Sequence, residues 1–135
     1  MNKKMNNKGF SLVELIIVIA IMAILIGVLA PMLYKYVEKS RESTDITNLD
    51  TCVNVVQAYY ADQGIPSGGI TITGAHDSNF VASPNDALTD ANADKSAVKG
   101  AWTITATIAA DGTITYTDDG NGKYYKVDGN KFVPK

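Results

Sequence analysis

Glu14 is the residue whose chemistry stands out. It sits in Phe10-Ser11-Leu12-Val13-Glu14, at the head of an apolar run, and the nineteen positions 15–33 that follow carry no charge. A carboxylate in the hydrocarbon core of a bilayer costs about 2.5–3.5 kcal/mol on insertion scales, so an acid there persists where it gains a partner. Elsewhere the chain is poor in groups for catalysis. It has one histidine, His76, beside Asp77, and one cysteine, Cys52. With no second histidine and no other cysteine, neither a zinc site nor an activated serine or cysteine nucleophile is predicted. Cys52 is expected to be a small core residue and cannot form an intrachain disulfide. Asp90, Asn92 and Asp94 place oxygens at alternate positions, as a calcium loop begins. Lys95 then stands where the glycine belongs and Ala101 where the bidentate glutamate belongs. Asp118-Asp119-Gly120-Asn121 could also gather oxygens, but its composition is that of a solvated turn. No glycine-rich phosphate loop follows a strand, and no metal or cofactor is expected.

The elements that carry these residues fall into three zones. Residues 1–9 hold three lysines (Lys3, Lys4, Lys8) and no acid. Residues 10–62 read as a long helix with two halves. Residues 10–33 are apolar all round, which suits lipid or the inside of a bundle. Their length is roughly 36 Å, enough for the hydrocarbon core. Tyr34, Lys35 and Tyr36 make a flank suited to a membrane interface. Gly27 and Pro31 interrupt this half, and a kink or melted turn is expected at Pro31. Beyond Ser40 the apolar positions become Ile46, Leu49, Val53, Val56 and Tyr60, spaced 3, 4, 3 and 4. That one-sided stripe should cover a sheet, with Asp45, Asn48, Asp50, Asn54 and Gln57 meeting water. The helix should stop at Gln63-Gly64-Ile65-Pro66.

Residues 63–135 read as β-rich. Residues 70–73 form a short alternating strand. Residues 74–99 are read as a surface loop with a short helical turn at 86–90. Residues 102–108, 113–117, 123–127 and 131–133 then form a three- or four-stranded antiparallel meander, punctuated by Asp111-Gly112, 118–122 and Asp128-Gly129-Asn130. Ile104, Ile108, Ile114, Tyr116, Tyr125 and Val127 should face inward. In Tyr59-Tyr60 and Tyr124-Tyr125, one ring of each pair should point in and one out. The fold class is therefore α+β: a long N-terminal α-helix packed on a small antiparallel sheet of three to four strands.

Composition narrows the function classes. The chain has 135 residues, 46% of them hydrophobic and 19% charged, with zero mean hydropathy. That average conceals an apolar end and a polar remainder, which excludes a disordered chain and a disulfide-framework toxin. Without the first nine residues and their three lysines, the formal net charge falls from −2 to −5. No basic cluster remains for phosphate backbones, so no direct nucleic-acid partner is expected.

Lys8-Gly9-Phe10-Ser11-Leu12-Val13-Glu14, followed by about twenty apolar residues, resembles the prepilin processing site of type IV pilins and pseudopilins. The resemblance is strong over residues 8–33; over the rest it is one of architecture. It implies that residues 1–9 are a leader, that a membrane prepilin peptidase cuts between Gly9 and Phe10, and that Phe10 becomes an N-methylated terminus. It further implies that Glu14 meets the terminal amine of a neighbouring subunit, and that Pro31 falls where many members carry a helix-breaking proline. The implied division is leader 1–9, transmembrane and filament-core helix 10–33, and globular head 34–135. The implied partners are other copies of the chain, the prepilin peptidase, an assembly platform protein with its ATPase, and the membrane. The subunit would span the cytoplasmic membrane once and pass to a surface filament. It would be a structural subunit of a type IV pilus and not an enzyme. A pseudopilin or minor pilin of a type II secretion or DNA-uptake machine is the alternative within the family. A membrane-anchored binding module that never polymerises is the alternative outside it. Many members staple their C-terminal region with two cysteines; this chain, with Cys52 alone, departs from that pattern.

Overall fold

The computed structural model of the chain describes residues 11–84, 87–90 and 98–135. Helix α1 is Leu12–Tyr59, followed by strands β1 (Ile70–Gly74) and β2 (Val81–Ser83), a short helix α2 (Ala87–Asp90), and strands β3 (Ile104–Ile108), β4 (Ile114–Asp118), β5 (Tyr125–Asp128) and β6 (Lys131–Pro134). The chain divides into two compact units at Val37 and Glu38. In the first unit α1 is helical through Gly27 and Pro31, so of the expected kink or melted turn the melted turn does not occur. The carbonyl deprived of its helical donor by Pro31 is that of Gly27, one turn earlier.

The second unit buries the predicted stripe. Leu49, Val53, Val56 and Tyr60 are buried, Ile46 packs against them, and Cys52 joins the core as expected. The helix ends where Gly64 adopts φ +78° and its N–H donates to the Tyr60 carbonyl at 2.9 Å, a glycine-terminated C-cap. The stripe lies on an antiparallel four-stranded sheet of order β2-β1-β3-β4. Register places Ile70 opposite Ile108 and Ile72 opposite Ala106, all four buried on one face. Thr71, Thr73, Thr105 and Thr107 alternate with them on the other face, as period-2 strands require.

Three expectations are corrected. The meander does not form one sheet: β5 and β6 pair only with each other, in a separate hairpin, while β1 occupies the middle of the main sheet. The reason lies in the 118–124 connection, where Asp118 turns its carboxylate to Val127 N–H at 2.6 Å in place of a β4–β5 ladder. Residues 74–99 are more than surface loop, because β2 pairs with β1 and because Phe80, Leu88 and Val98 are fully or almost fully buried. The short helical turn does form there, as α2. Asp45, expected in water, is completely buried. Of the tyrosine pairs, Tyr60 is buried and Tyr59 half-buried, whereas Tyr124 and Tyr125 are both half-buried.

Asp45 is buried because it is fully used. Its carboxylate accepts Lys99 N–H at 2.7 Å, Gly100 N–H at 2.7 Å and the Trp102 indole N–H at 2.8 Å. One turn earlier Glu42 accepts Lys123 N–H at 2.5 Å and Tyr124 N–H at 2.8 Å. Burial pushes the Glu42 carboxyl above its ordinary value, while those two N–H groups and the Lys135 ammonium pull it back. These two side chains tie α1 to chain segments more than fifty residues away. Gly100 and Gly122 permit it: a Cβ at Gly100 would lie 2.8 Å from Trp102 Nε1 and 2.9 Å from Asp45 Oδ2, and one at Gly122 would lie 2.5 Å from the Trp102 ring. Asp45→Ala strands buried donors that each cost about 1–3 kcal/mol when unmet. A loss of about 3 kcal/mol or more is expected in denaturant unfolding followed by Trp102 fluorescence; a loss under about 1 kcal/mol contradicts the assignment.

Candidate functional site

The sequence places its functional residues at the start of α1. Gly9 and Phe10 lie outside the described residues. Ser11 is the residue before the first helical turn: its Oγ accepts Glu14 N–H at 3.2 Å and its carbonyl accepts Leu15 N–H at 3.1 Å. Ser11-Leu12-Val13-Glu14 has the residue order of a capping box, the sequence signal that marks this end of the helix. Glu14 is thus fixed in the first turn, where the partial positive charge of the helix end favours a carboxylate. From there to Val37 no other acid occurs, and Lys35 is the only base.

Around that carboxylate the helix has no polar face. Leu12 is 73% exposed, Ile24 67% and Leu33 62%, and residues between them on every side of the helix are exposed too. α1 is long and apolar enough to cross a membrane. Water does not tolerate such a surface at this extent; lipid or other apolar helices do. Pro31 lies within this stretch, exposed.

In the second unit a groove of about 340 Å³ is lined by Ile46, Asp50, Tyr116, Asn130, Lys131 and Phe132. Tyr116 O–H donates to Asp50 Oδ1 at 3.0 Å across it. The Phe132 ring meets Tyr116 edge-on at 5.5 Å and Trp102 at 5.9 Å. Partial burial, then the bond to the Asp50 carboxylate, push the Tyr116 phenol up to about 12.

The metal candidates gain no support from geometry. Asn92, Asp94 and the Asp90 side chain lie outside the description. Asp118 Oδ1 accepts Gly120 N–H at 2.6 Å, and Asp119 accepts Asn121 N–H and the Asn121 side-chain amide, both at 3.0 Å. These carboxylates serve the turn. Among the described residues no group of three or more His, Cys, Asp or Glu is placed to hold a metal ion. His76 Nδ1 lies 2.8 Å from the Gly100 carbonyl and its Nε2 lies 3.3 Å from Asp77, which makes it a loop tie.

Comparison with known proteins bears on the first unit above all. Residues 4–30 match the family model described as the prokaryotic N-terminal methylation motif, so the chain carries that motif where Gly9, Phe10 and Glu14 stand. The chain is also 39% identical over 62 residues to the fimbrial protein EcpC of Eikenella corrodens, a match covering 46% of this chain and 40% of that protein. It therefore spans less than half the length of this curated relative. No solved structure matches. Motif and relative are consistent with the resemblance to type IV pilins read from the residues.

The raised Tyr116 value has a defined sign. Its folded value, about 12, exceeds the ordinary 10, so the folded chain keeps a proton that the unfolded chain loses. The corresponding stability is complete below pH 10 and is lost as pH rises to about 12. Ultraviolet titration should show a phenol ionising at about pH 12 that Tyr116→Phe removes. An alkaline limb unchanged by that substitution contradicts the Asp50–Tyr116 bond.

Proposed function

We propose that the chain is the structural subunit of a type IV pilus, processed at its N-terminus and polymerised through α1. The observation that carries this reading is the conjunction of a methylation motif over residues 4–30 with a helix that is apolar on all sides and holds one carboxylate in its first turn. Hydrolysis of the Gly9–Phe10 bond removes residues 1–9 with their three lysines and leaves an amine on Phe10, which is then methylated. That amine stands four residues ahead of Glu14 along the chain. Each processed subunit then carries one cation and one carboxylate at the same end of an apolar helix. Helices staggered along a common axis pair the amine of one with the Glu14 of the next, which relieves the cost of an unpaired carboxylate in lipid. The contact is heterologous: the donor surface and the acceptor surface differ, so addition does not close and a helical filament grows.

Residues 10–33 form the filament core, residues 34–135 the head, and Pro31 adjusts the path of the core helices. Before assembly the chain spans the cytoplasmic membrane once with its head outside; afterwards it is part of a surface fibre. Its partners are other copies of itself, the prepilin peptidase, and the assembly platform with its ATPase. That the relative is a fimbrial protein favours a fibre over a secretion-machine pseudopilin.

Glu14→Ala separates this mechanism from a plain membrane anchor. Removing an interaction of about 2.5–3.5 kcal/mol shifts the assembly equilibrium on the order of a hundredfold. Sheared-fibre preparations should lose the subunit while the membrane fraction retains it. Fibre yield equal to that of the unaltered chain contradicts the pairing.

A further inference from the structure

Ser11 stands outside α1, which begins at Leu12, yet it holds the first turn of the helix from both its ends. Its carbonyl accepts Leu15 N–H at 3.1 Å, the first bond of the helical ladder. Its Oγ accepts Glu14 N–H at 3.2 Å, one of the donors that a helix start leaves unmet. That pair of contacts makes Ser11 an N-cap. In the chain, the cap follows directly on Phe10 and so on the Gly9–Phe10 bond.

The residues upstream offer a competing start. Asn6 and Asn7 are of a type that caps helices as well as serine does. A helix capped at Asn7 would take Lys8, Gly9 and Phe10 into its first turn, with the Gly9–Phe10 bond among them. A bond inside a helix is a poor substrate, because hydrolysis has to wait for local opening and then follows the population of the open form. Three features oppose that start. Glycine is among the poorest helix formers. Lys3, Lys4 and Lys8 would bring positive charge to the positive end of the helix. The Ser11 cap would have to be given up. Gly9 flanks the bond to be cut, so Ser11 is the place where the stop can be altered by itself.

We propose that Ser11 is a positioning residue for hydrolysis of the Gly9–Phe10 bond: its cap holds the start of α1 at Leu12 and keeps that bond out of the helix. This inference deepens the processing reading and rests on it. In the reaction water adds across the bond. Its hydroxyl goes to the Gly9 carbonyl carbon, giving a carboxyl group, and its remaining hydrogen goes to the Phe10 nitrogen, giving the amine. Ser11 takes no part in that exchange. It sets the fraction of chains in which the bond is open to the peptidase, and a binding partner that is competent for only part of the time shows its affinity reduced by that fraction.

The test uses the full chain in detergent, cut by a prepilin peptidase and followed by mass spectrometry of the products. Ser11→Ala removes the cap and installs the best helix former, which should shift the helix start upstream roughly tenfold. Its kcat/KM should fall, by up to about tenfold, through a raised KM with kcat kept. Ser11→Gly and Ser11→Thr still cap and should stay within about twofold of the unaltered chain. Glycine lacks the hydroxyl just as alanine does, so a peptidase that reads the serine side chain directly would treat those two variants alike. In the uncut chains, the Cα chemical shifts of Gly9 and Phe10 should move toward helical values in Ser11→Ala alone. Cleavage of Ser11→Ala at the unaltered rate overturns the inference, as does a Ser11→Gly chain cut as slowly as Ser11→Ala, or a loss confined to kcat. An unaltered chain that is not cut at Gly9–Phe10 is a different result: it removes the processing reading, and this inference with it.

Discussion

An apolar surface that runs all the way round a helix has to be kept from water, and the rest of this molecule follows from that requirement. Over residues 12–33 the side chains of α1 have no polar face on which to rest, so their medium is lipid or other apolar helices. Past Glu38 the same helix changes character. Its apolar residues contract to one stripe, and the medium for that stripe is the sheet of the second unit. Glu14 gains its meaning from the same constraint. In water a first-turn acid is ordinary; in an apolar medium a carboxylate is costly unless it gains a partner.

The second unit is held together without a disulfide, since Cys52 is the only cysteine. Long-range ties come instead from carboxylates on α1 that accept backbone N–H groups and the Trp102 indole N–H. Asp45 reaches 54, 55 and 57 residues along the chain to Lys99, Gly100 and Trp102, and Glu42 reaches 81 and 82 residues to Lys123 and Tyr124. Hydrogen bonds to an ionised acceptor are roughly twice as strong as neutral ones. They differ from a covalent staple in one respect that matters for folding: they form only when the sheet and its connections are already in place.

Much of this was legible in the residues, for identifiable reasons. The spacing from Ile46 to Tyr60 announces a one-sided helix, and burial follows it. Asp111-Gly112 and Asp128-Gly129-Asn130 announce tight turns, and φ of +91° at Gly112 and +59° at Gly129 are what such turns need. The N-terminal motif was readable because each member has a separate chemical reason to be there. What escaped has physical causes too. Asp45 is a polar letter at a core position, and only its three distant donors make it a core residue. Phe80, Leu88 and Val98 are isolated apolar residues with no period to reveal them. β1 lies between β2 and β3, whereas adjacency in sequence favours a simple meander; the turn carboxylate of Asp118 then diverts β5 from β4. The bonds from the Asn130 side chain to Tyr116 and Ile114 depend on where a side chain lands after a turn, which spacing alone does not specify.

The proposed assembly depends on cleavage of the Gly9–Phe10 bond, which would both remove the lysine-rich segment and create the cation proposed to meet Glu14. The most direct measurement is mass spectrometry of the N-terminal peptide of the protein recovered from surface fibres and from membranes. The expected result is a chain beginning at Phe10 with one methyl group on its amine. A membrane-embedded chain that still begins at Met1, or a processed chain that begins elsewhere, would contradict it.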